Sequence, residues 1–300
     1  MTQKIPKTTI LRFLPVEKAV LMYILVTGLF ELFFFAKLPG VSAHLYARLI
    51  MVSVIVTLAA VNISYGDRNF LRGIRIFLPF LFLGYFYKET DYLNNLIFSR
   101  DMDPVISGWE NLIFGFQPSL SFSEHFSSDL FAELMYMGYF SYYLISVGIP
   151  LYIYLKVSPR TGEKFSFIII SSFLIFYTVF IIFPVGGPQF YYIDWPQQVP
   201  EGYFFGHVMG IVKFYGEGVT AAFPSAHVSI CLILVMASYL YAKNLLRIIL
   251  PIAIALVFST VYIRAHYVID VVAGIILAPV LLRITSMIYD SDEPLSETTA

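Results

Sequence analysis

Long unbroken apolar runs constrain this chain more than any other feature. They recur at eighteen residues or more, the length that crosses a hydrocarbon core as an α-helix. Eight spans are predicted, over about 18–36, 46–65, 71–88, 130–156, 165–185, 223–243, 245–263 and 266–289. A transmembrane barrel would instead show short alternating segments, and the sequence has none. The expected fold class is therefore all-α, a polytopic transmembrane helix bundle. Composition agrees: 58% hydrophobic and 13% charged residues, with a mean hydropathy of +0.76, exclude a water-soluble globule.

The charges that remain are ordered. An even number of spans puts both termini on one side of the membrane. Thirteen cations then gather there: Lys4, Lys7, Arg12, Lys18, Arg68, Arg72, Arg75, Lys156, Arg160, Lys164, Lys243, Arg247 and Arg283. Six fall on the other side: Lys37, Arg48, Lys88, Arg100, Lys213 and Arg264. By the positive-inside rule the termini are expected to be cytoplasmic. The basic N-terminus and its first apolar run read as a retained anchor, although Val41-Ser42-Ala43 loosely resembles a signal-peptidase site.

The domain organisation read from this pattern is N-terminal spans over 1–90, an outward acidic loop over 91–129, a membrane domain carrying the functional residues over 130–289, and a disordered tail over 290–300. Within the loop, Val105, Ile106, Trp109, Leu112, Ile113 and Phe116 fall at helical spacing, which predicts a helix lying in the interface with Trp109 as its anchor. The loop acids Glu89, Asp91, Asp101, Asp103, Glu110, Glu124 and Asp129 read as a solvated face, with cation binding as the alternative. A second outward loop, 186–222, holds Gly187-Pro188-Gln189-Phe190-Tyr191 and the Gly216-Glu217-Gly218 turn, and is expected to cover the site that follows it. Cys231 stands alone in an apolar run as a packing residue, and no basic patch points to nucleic acid.

Chemistry concentrates at two clusters about forty residues apart. Phe223-Pro224-Ser225-Ala226-His227 opens the sixth span and Arg264-Ala265-His266-Tyr267-Val268-Ile269-Asp270 opens the eighth, so a chain that crosses and returns brings both to the outward face. Proline suits a first helical turn. Ser225, Ala226 and His227 then offer backbone N–H groups to an anion, and Ala226 lets a ligand approach closely. His266 and Asp270, four apart on a helix, are placed to hydrogen-bond. An aspartate on one ring nitrogen makes the other more basic and the imidazole a nucleophile. Asp270 lies one turn inside a span, where an insertion cost of about 2.5–3.5 kcal/mol argues for a partner. Arg264 offers a planar fork to phosphate oxygens. Two histidines and a carboxylate can also hold a divalent ion. The neighbouring arginine and helix N-terminus favour an anion, so phosphate is the preferred ligand and no metal is expected. His44, His125 and His207 read as interfacial residues.

These motifs carry a resemblance. The first cluster is similar to the P-S-G-H motif of the type 2 phosphatidic acid phosphatase superfamily. His266-Tyr267-Val268-Ile269-Asp270, with Gly274 following, resembles its terminal H-x-x-x-D motif. The resemblance implies a six-helix phosphatase-type core over roughly 130–289 and a metal-independent, cofactor-free reaction. His266 would attack phosphorus to form a phosphohistidine, Asp270 would orient it, and His227 would protonate the leaving alkoxide. Ser225 and neighbouring N–H groups would hold the phosphoryl oxygens. The sequence departs from the phosphatases in two places: it has no K-x6-R-P run, and Thr260 occupies the position six before the nucleophile. Arg264 instead gives the R-x-H-Y-x-x-D pattern of sphingomyelin synthases. The 187–191 segment, with Tyr136, Tyr139, Tyr142 and Tyr143, resembles the branch containing inositol phosphorylceramide synthase; those tyrosines read equally as an interfacial belt. Lys213, Gln189 and Tyr191 are further candidates for phosphate contact. The expected substrate is a lipid phosphate or phospholipid in the bilayer. Hydrolysis is placed first because it needs no second binding site; transfer of a phosphoinositol-type head group to a ceramide-like acceptor is the alternative, beside a non-catalytic lipid binder or transporter, and a haloperoxidase fits least.

Overall fold

Prolines mark where several helices of this chain begin, because the first helical turn has no use for the N–H that proline lacks. In the computed structural model, which describes residues 11–65, 69–216 and 218–292, Pro15, Pro79, Pro118, Pro159 and Pro188 each open one. Lys4, Lys7, Arg68, Glu217 of the expected turn, and the tail from 293 lie outside the described residues. Helices form two compact units, Met1–Phe82 and Leu83–Ala300.

The first unit holds α1 (Pro15–Phe33), α2 (Val41–Tyr65) and α3 (Asn69–Phe77). Buried ion pairs tie it together. Arg48 donates from Nε at 3.0 Å and Nη2 at 3.1 Å to the two oxygens of Glu31, and from Nη1 to Thr27 Oγ1 at 2.7 Å. Arg75 makes the matching pair with Glu17, 2.8 and 2.6 Å. Arg48 and Arg75 are thus internal partners of acids as well as members of the charge pattern along the chain.

From α4 (Pro79–Leu93) the second unit continues through α5 (Asp103–Phe114), α6 (Pro118–His125), α7 (Asp129–Lys156), α8 (Pro159–Ile182), α9 (Pro188–Tyr191), α10 (Phe204–Gly216), α11 (Ala226–Tyr241), α12 (Lys243–Tyr262) and α13 (Val268–Asp292). α7 packs against α8, α10, α11 and α12; α13 packs against α8 and α11. α8 is largely apolar and buried over most of its surface, from Phe165 through Ile168, Ile170, Phe176 and Phe180, as suits a central helix. No strand occurs among the described residues, only an isolated parallel bridge between Val185 and Ala221.

Among the described residues, six stretches are long and apolar enough to cross a membrane: Val41–Asn62, Asn69–Leu93, Asp129–Lys156, Pro159–Ile182, Lys243–Tyr262 and Val268–Asp292. The chain is an integral membrane protein of helical-bundle class. The expected count of eight is corrected to six on this criterion, although the other two stretches are also helical. α1 is 19 residues long but contains Glu17, Lys18 and Glu31. α11 has 16 residues, because 223–224 form bends and Ser225 an extended N-cap rather than another helical turn. At 1.5 Å per residue it reaches about 24 Å, short of a hydrocarbon core.

α5 carries its polarity the reverse of a soluble helix. Asp103, Ile106, Ser107 and Glu110 are buried, while Val105, Trp109, Leu112 and Ile113 are exposed, Leu112 at 84%. An outer face of this kind suits the headgroup boundary of a bilayer. Trp195→Phe leaves Trp109 as the sole indole of the two in the sequence. In lipid nanodiscs, acyl-brominated lipid is expected to quench Trp109 strongly and aqueous iodide weakly. Iodide quenching as efficient as that of free tryptophan would remove α5 from the interface.

Candidate active site

The two sequence clusters meet through the backbone. Ser225 N–H donates to the Asp270 carbonyl at 3.0 Å, and Ser229 Oγ donates to the Gly274 carbonyl at 2.5 Å. Gly274 permits this approach: a Cβ there would lie 2.7 Å from the Ser225 carbonyl oxygen. Ser225 is the N-cap of α11, its Oγ accepting from Val228 N at 3.3 Å. Its N–H, expected to be free for an anion, is therefore taken. The N–H groups of Ala226 and His227 have no acceptor among the described residues and remain the donors at this helix end.

His227 and His266 are directly bonded, Nδ1 to Nε2 at 3.1 Å. His266 Nδ1 lies 2.8 Å from the Ala222 carbonyl oxygen. A carbonyl can only accept, so Nδ1 carries the proton and Nε2 presents its lone pair. The orienting acceptor is thus a backbone carbonyl, where the sequence spacing suggested Asp270. His266 lies just before α13 instead of on it. The Asp270 carboxylate is 3.5 Å from Nδ1 and gives Oδ2 to the Tyr267 N–H at 2.8 Å. It is close enough to stabilise positive charge on the ring without being its hydrogen-bond partner. His227 is enclosed by Tyr142 and Tyr139, with ring centroids 4.2 and 4.6 Å away. Those two tyrosines are buried against the site and are not part of an interfacial belt, whereas Tyr143 is 42% exposed.

Arg264, expected at the rim, is 3% exposed. Nε and Nη2 donate to Ser123 Oγ at 3.0 and 2.8 Å, and Nη2 also donates to the Gln197 carbonyl at 2.7 Å. Its backbone is left-handed (φ 63°), and its carbonyl accepts from Gln189 N at 2.8 Å. Lys213 Nζ donates to Gln189 Oε1 at 2.8 Å, so these two candidates form a pair beside the Arg264–His266 segment. Tyr191 is 43% exposed and packs edge-on against Tyr192.

The loop acids are the largest departure from expectation. Asp103, read as part of a solvated face, is buried and accepts from Gly186 N (2.7 Å), Gly187 N (2.9 Å) and the Tyr267 hydroxyl (3.0 Å). Glu110 accepts from Val268 N at 2.5 Å and Ile269 N at 3.3 Å. Asp91 accepts from Val219 N at 2.9 Å, and Glu124 from the Trp195 indole at 2.6 Å. Burial raises the Asp103 carboxyl above its usual range against the opposing pull of these donors. Gly187 completes the joint: at φ 87°, a Cβ would sit 2.5 Å from the Ala265 carbonyl oxygen. The spacing 103, 106, 107, 110 already put these acids on one helical face; the apolar residues opposite drew attention away from it.

The chain matches the family described as PAP2 superfamily over residues 107–284. It is also 25% identical over 201 residues to a Dictyostelium discoideum protein named PA-phosphatase related-family protein. That match covers 58% of this chain and 36% of the relative, so the chain spans well under half of the relative's length. No solved structure matches.

Asp103→Ala strands two backbone N–H groups and a hydroxyl in a buried site. It is expected to lower unfolding stability in detergent by about 3 kcal/mol or more, against about 1 kcal/mol for Tyr267→Phe. Equal, small losses in both variants would mean that Asp103 does not hold the joint.

Proposed function

The chain belongs to the PAP2 superfamily, a phosphatase-type family, and from that premise we propose that it cleaves a lipid-linked phosphate through a covalent intermediate on His266. One observation carries this reading: His266 Nε2 holds a lone pair, fixed by the Ala222 carbonyl on Nδ1, and faces His227 at 3.1 Å. A phosphoryl group entering the site replaces that contact. Nε2 then attacks phosphorus and the bond to the leaving oxygen breaks. The phosphate dianion favours an imidazolium at His227, whose proton passes to the leaving alkoxide. Neutral His227 next takes a proton from water, whose oxygen displaces Nε2, releasing phosphate and restoring the free imidazole. The positive charge on phosphorylated His266 lies beside the Asp270 carboxylate, 3.5 Å from Nδ1. The Ala226 and His227 N–H groups are the proposed phosphoryl donors, with Ser225 shaping their helix end. Arg264, Lys213, Gln189 and Tyr191 are proposed to act from the adjoining segment. No metal is needed in this scheme.

Transfer to a lipid hydroxyl shares the first half-reaction. It draws support from the Gly187–Tyr191 segment, whose Gln189 N–H is bonded to the Arg264 carbonyl next to the nucleophile. The proposed topology keeps the termini cytoplasmic and the site on the opposite face. With the buried Arg48, Arg75 and Arg264 set aside, the cation bias still stands at twelve to four.

Purified protein in detergent is to be offered phosphatidic acid, a polyprenyl diphosphate and phosphatidylinositol, each with and without ceramide. Phosphate released without acceptor, and abolished in His266→Ala, is the expected result. A phospholipid product formed only with ceramide would make the chain a transferase. Lipid bound with no product would make it a binder or transporter. EDTA is expected to leave the rate unchanged; loss restored by a divalent ion would refute the metal-free scheme.

A further inference from the structure

Glu110 is a buried acid that the reaction scheme leaves unused. Its side chain comes from α5, is 0% exposed, and reaches the N-terminus of α13. A helix normally takes its first acceptors from its own N-cap residue. Here that residue is Tyr267, whose hydroxyl is committed to Asp103. The first three donors of α13 are instead divided between two carboxylates. Asp270 Oδ2 takes Tyr267 N, while Glu110 Oε1 takes Val268 N at 2.5 Å and Ile269 N at 3.3 Å. Each acid keeps its second oxygen buried and unpartnered among the described residues, Oε2 of Glu110 and Oδ1 of Asp270. Two acids at one helix end exceed what capping requires.

Since α13 begins two residues after His266, whatever fixes its first turn fixes the chain leaving the nucleophile. We propose that Glu110 is a positioning residue for His266, holding the first turn of α13 from α5 so that Asp270 stays beside the ring and Nδ1 stays on the Ala222 carbonyl. The role rests on the reading of His266 as the nucleophile. Glu110 is faced by Asp270 on α13 and by the Tyr192 hydroxyl after α9, while Asp103 and the Tyr267 hydroxyl bond each other. Burial pushes its carboxyl up to about 7, with the Asp270 charge adding to the rise and the two N–H donors opposing it.

The test follows the imidazole itself. The sequence has five histidines, so the His266 signal in ¹⁵N-histidine-labelled protein can be assigned by its loss in His266→Ala. Wild type is expected to show a single Nδ1–H tautomer at neutral pH. Glu110→Ala is expected to mix the tautomers of His266 while the signals of His44, His125 and His207 stay in place. For an aryl phosphate, the same variant should lose at least about tenfold in kcat with little change in KM, as a misplaced reacting group does. Glu110→Gln, whose amide oxygen can accept the same N–H, should recover most of both. If Glu110→Ala does not fold, Glu110→Asp, which withdraws the carboxylate by one methylene, carries the same expectation. A wild-type tautomer in Glu110→Ala or Glu110→Asp overturns the proposal. So do variants that disturb all five histidines together. A tautomer shift in protein that turns over no phosphate would uphold the positioning role and refute the reaction scheme instead.

Discussion

A carboxylate sealed away from water must collect donors, and Asp103 collects three from segments far apart in the chain. Two are the N–H groups of Gly186 and Gly187, and one is the hydroxyl of Tyr267. That single group joins α5, the loop after α8, and the residue next to His266. The other contacts of the site build on this joint. Ala222, whose N–H bonds the Val185 carbonyl, presents its own carbonyl to His266. Gly187, free of a Cβ, lets the loop pass against Ala265. Removing the acid would leave two backbone N–H groups and a hydroxyl unsatisfied in a low-dielectric interior, where each is expensive.

The histidine pair follows from that placement. Nothing in an imidazole decides which nitrogen carries its proton; the acceptor nearby does. The Ala222 carbonyl decides it for His266, and leaves Nε2 directed at His227. Tyr139 and Tyr142 pack against His227 on its other side, with ring centroids 4.6 and 4.2 Å away. The Asp270 carboxyl lies 3.5 Å from Nδ1 and accepts from the Tyr267 N–H. A carbonyl acceptor on Nδ1 with a carboxyl group nearby suits the nucleophile role proposed for the ring.

α5 presents two unlike faces, one to this site and one to its surroundings. Its inner face carries Asp103 and Glu110 into the joint, and its outer face exposes Trp109, Leu112 and Ile113. Neither face alone would hold a twelve-residue helix in place, since so short a helix is marginal in isolation. Buried hydrogen bonds fix one side, and apolar surroundings accept the other.

By itself, the sequence determined the all-helical membrane character, most of the long apolar helices, the helix in the acidic loop, and the pairing of the two motif clusters, but not α6, α9 or α10. Those features depend on hydropathy and spacing within single segments, which local sequence records directly. Only the tertiary structure decided which atoms act on which. Asp103 and Glu110 looked like solvated charges because their partners lie 83 to 164 residues away, at Gly186, Val268 and Tyr267. The His266–Asp270 spacing suggested a hydrogen bond on one helix, but the helix starts at Val268 and leaves His266 in the turn before it. Arg264 looked available at the rim, yet folding brings Ser123 and Gln197 to its guanidinium. A polar side chain shows its residue type in the sequence, whereas its partner is chosen by whichever donor or acceptor the packed helices leave within 3 Å of it.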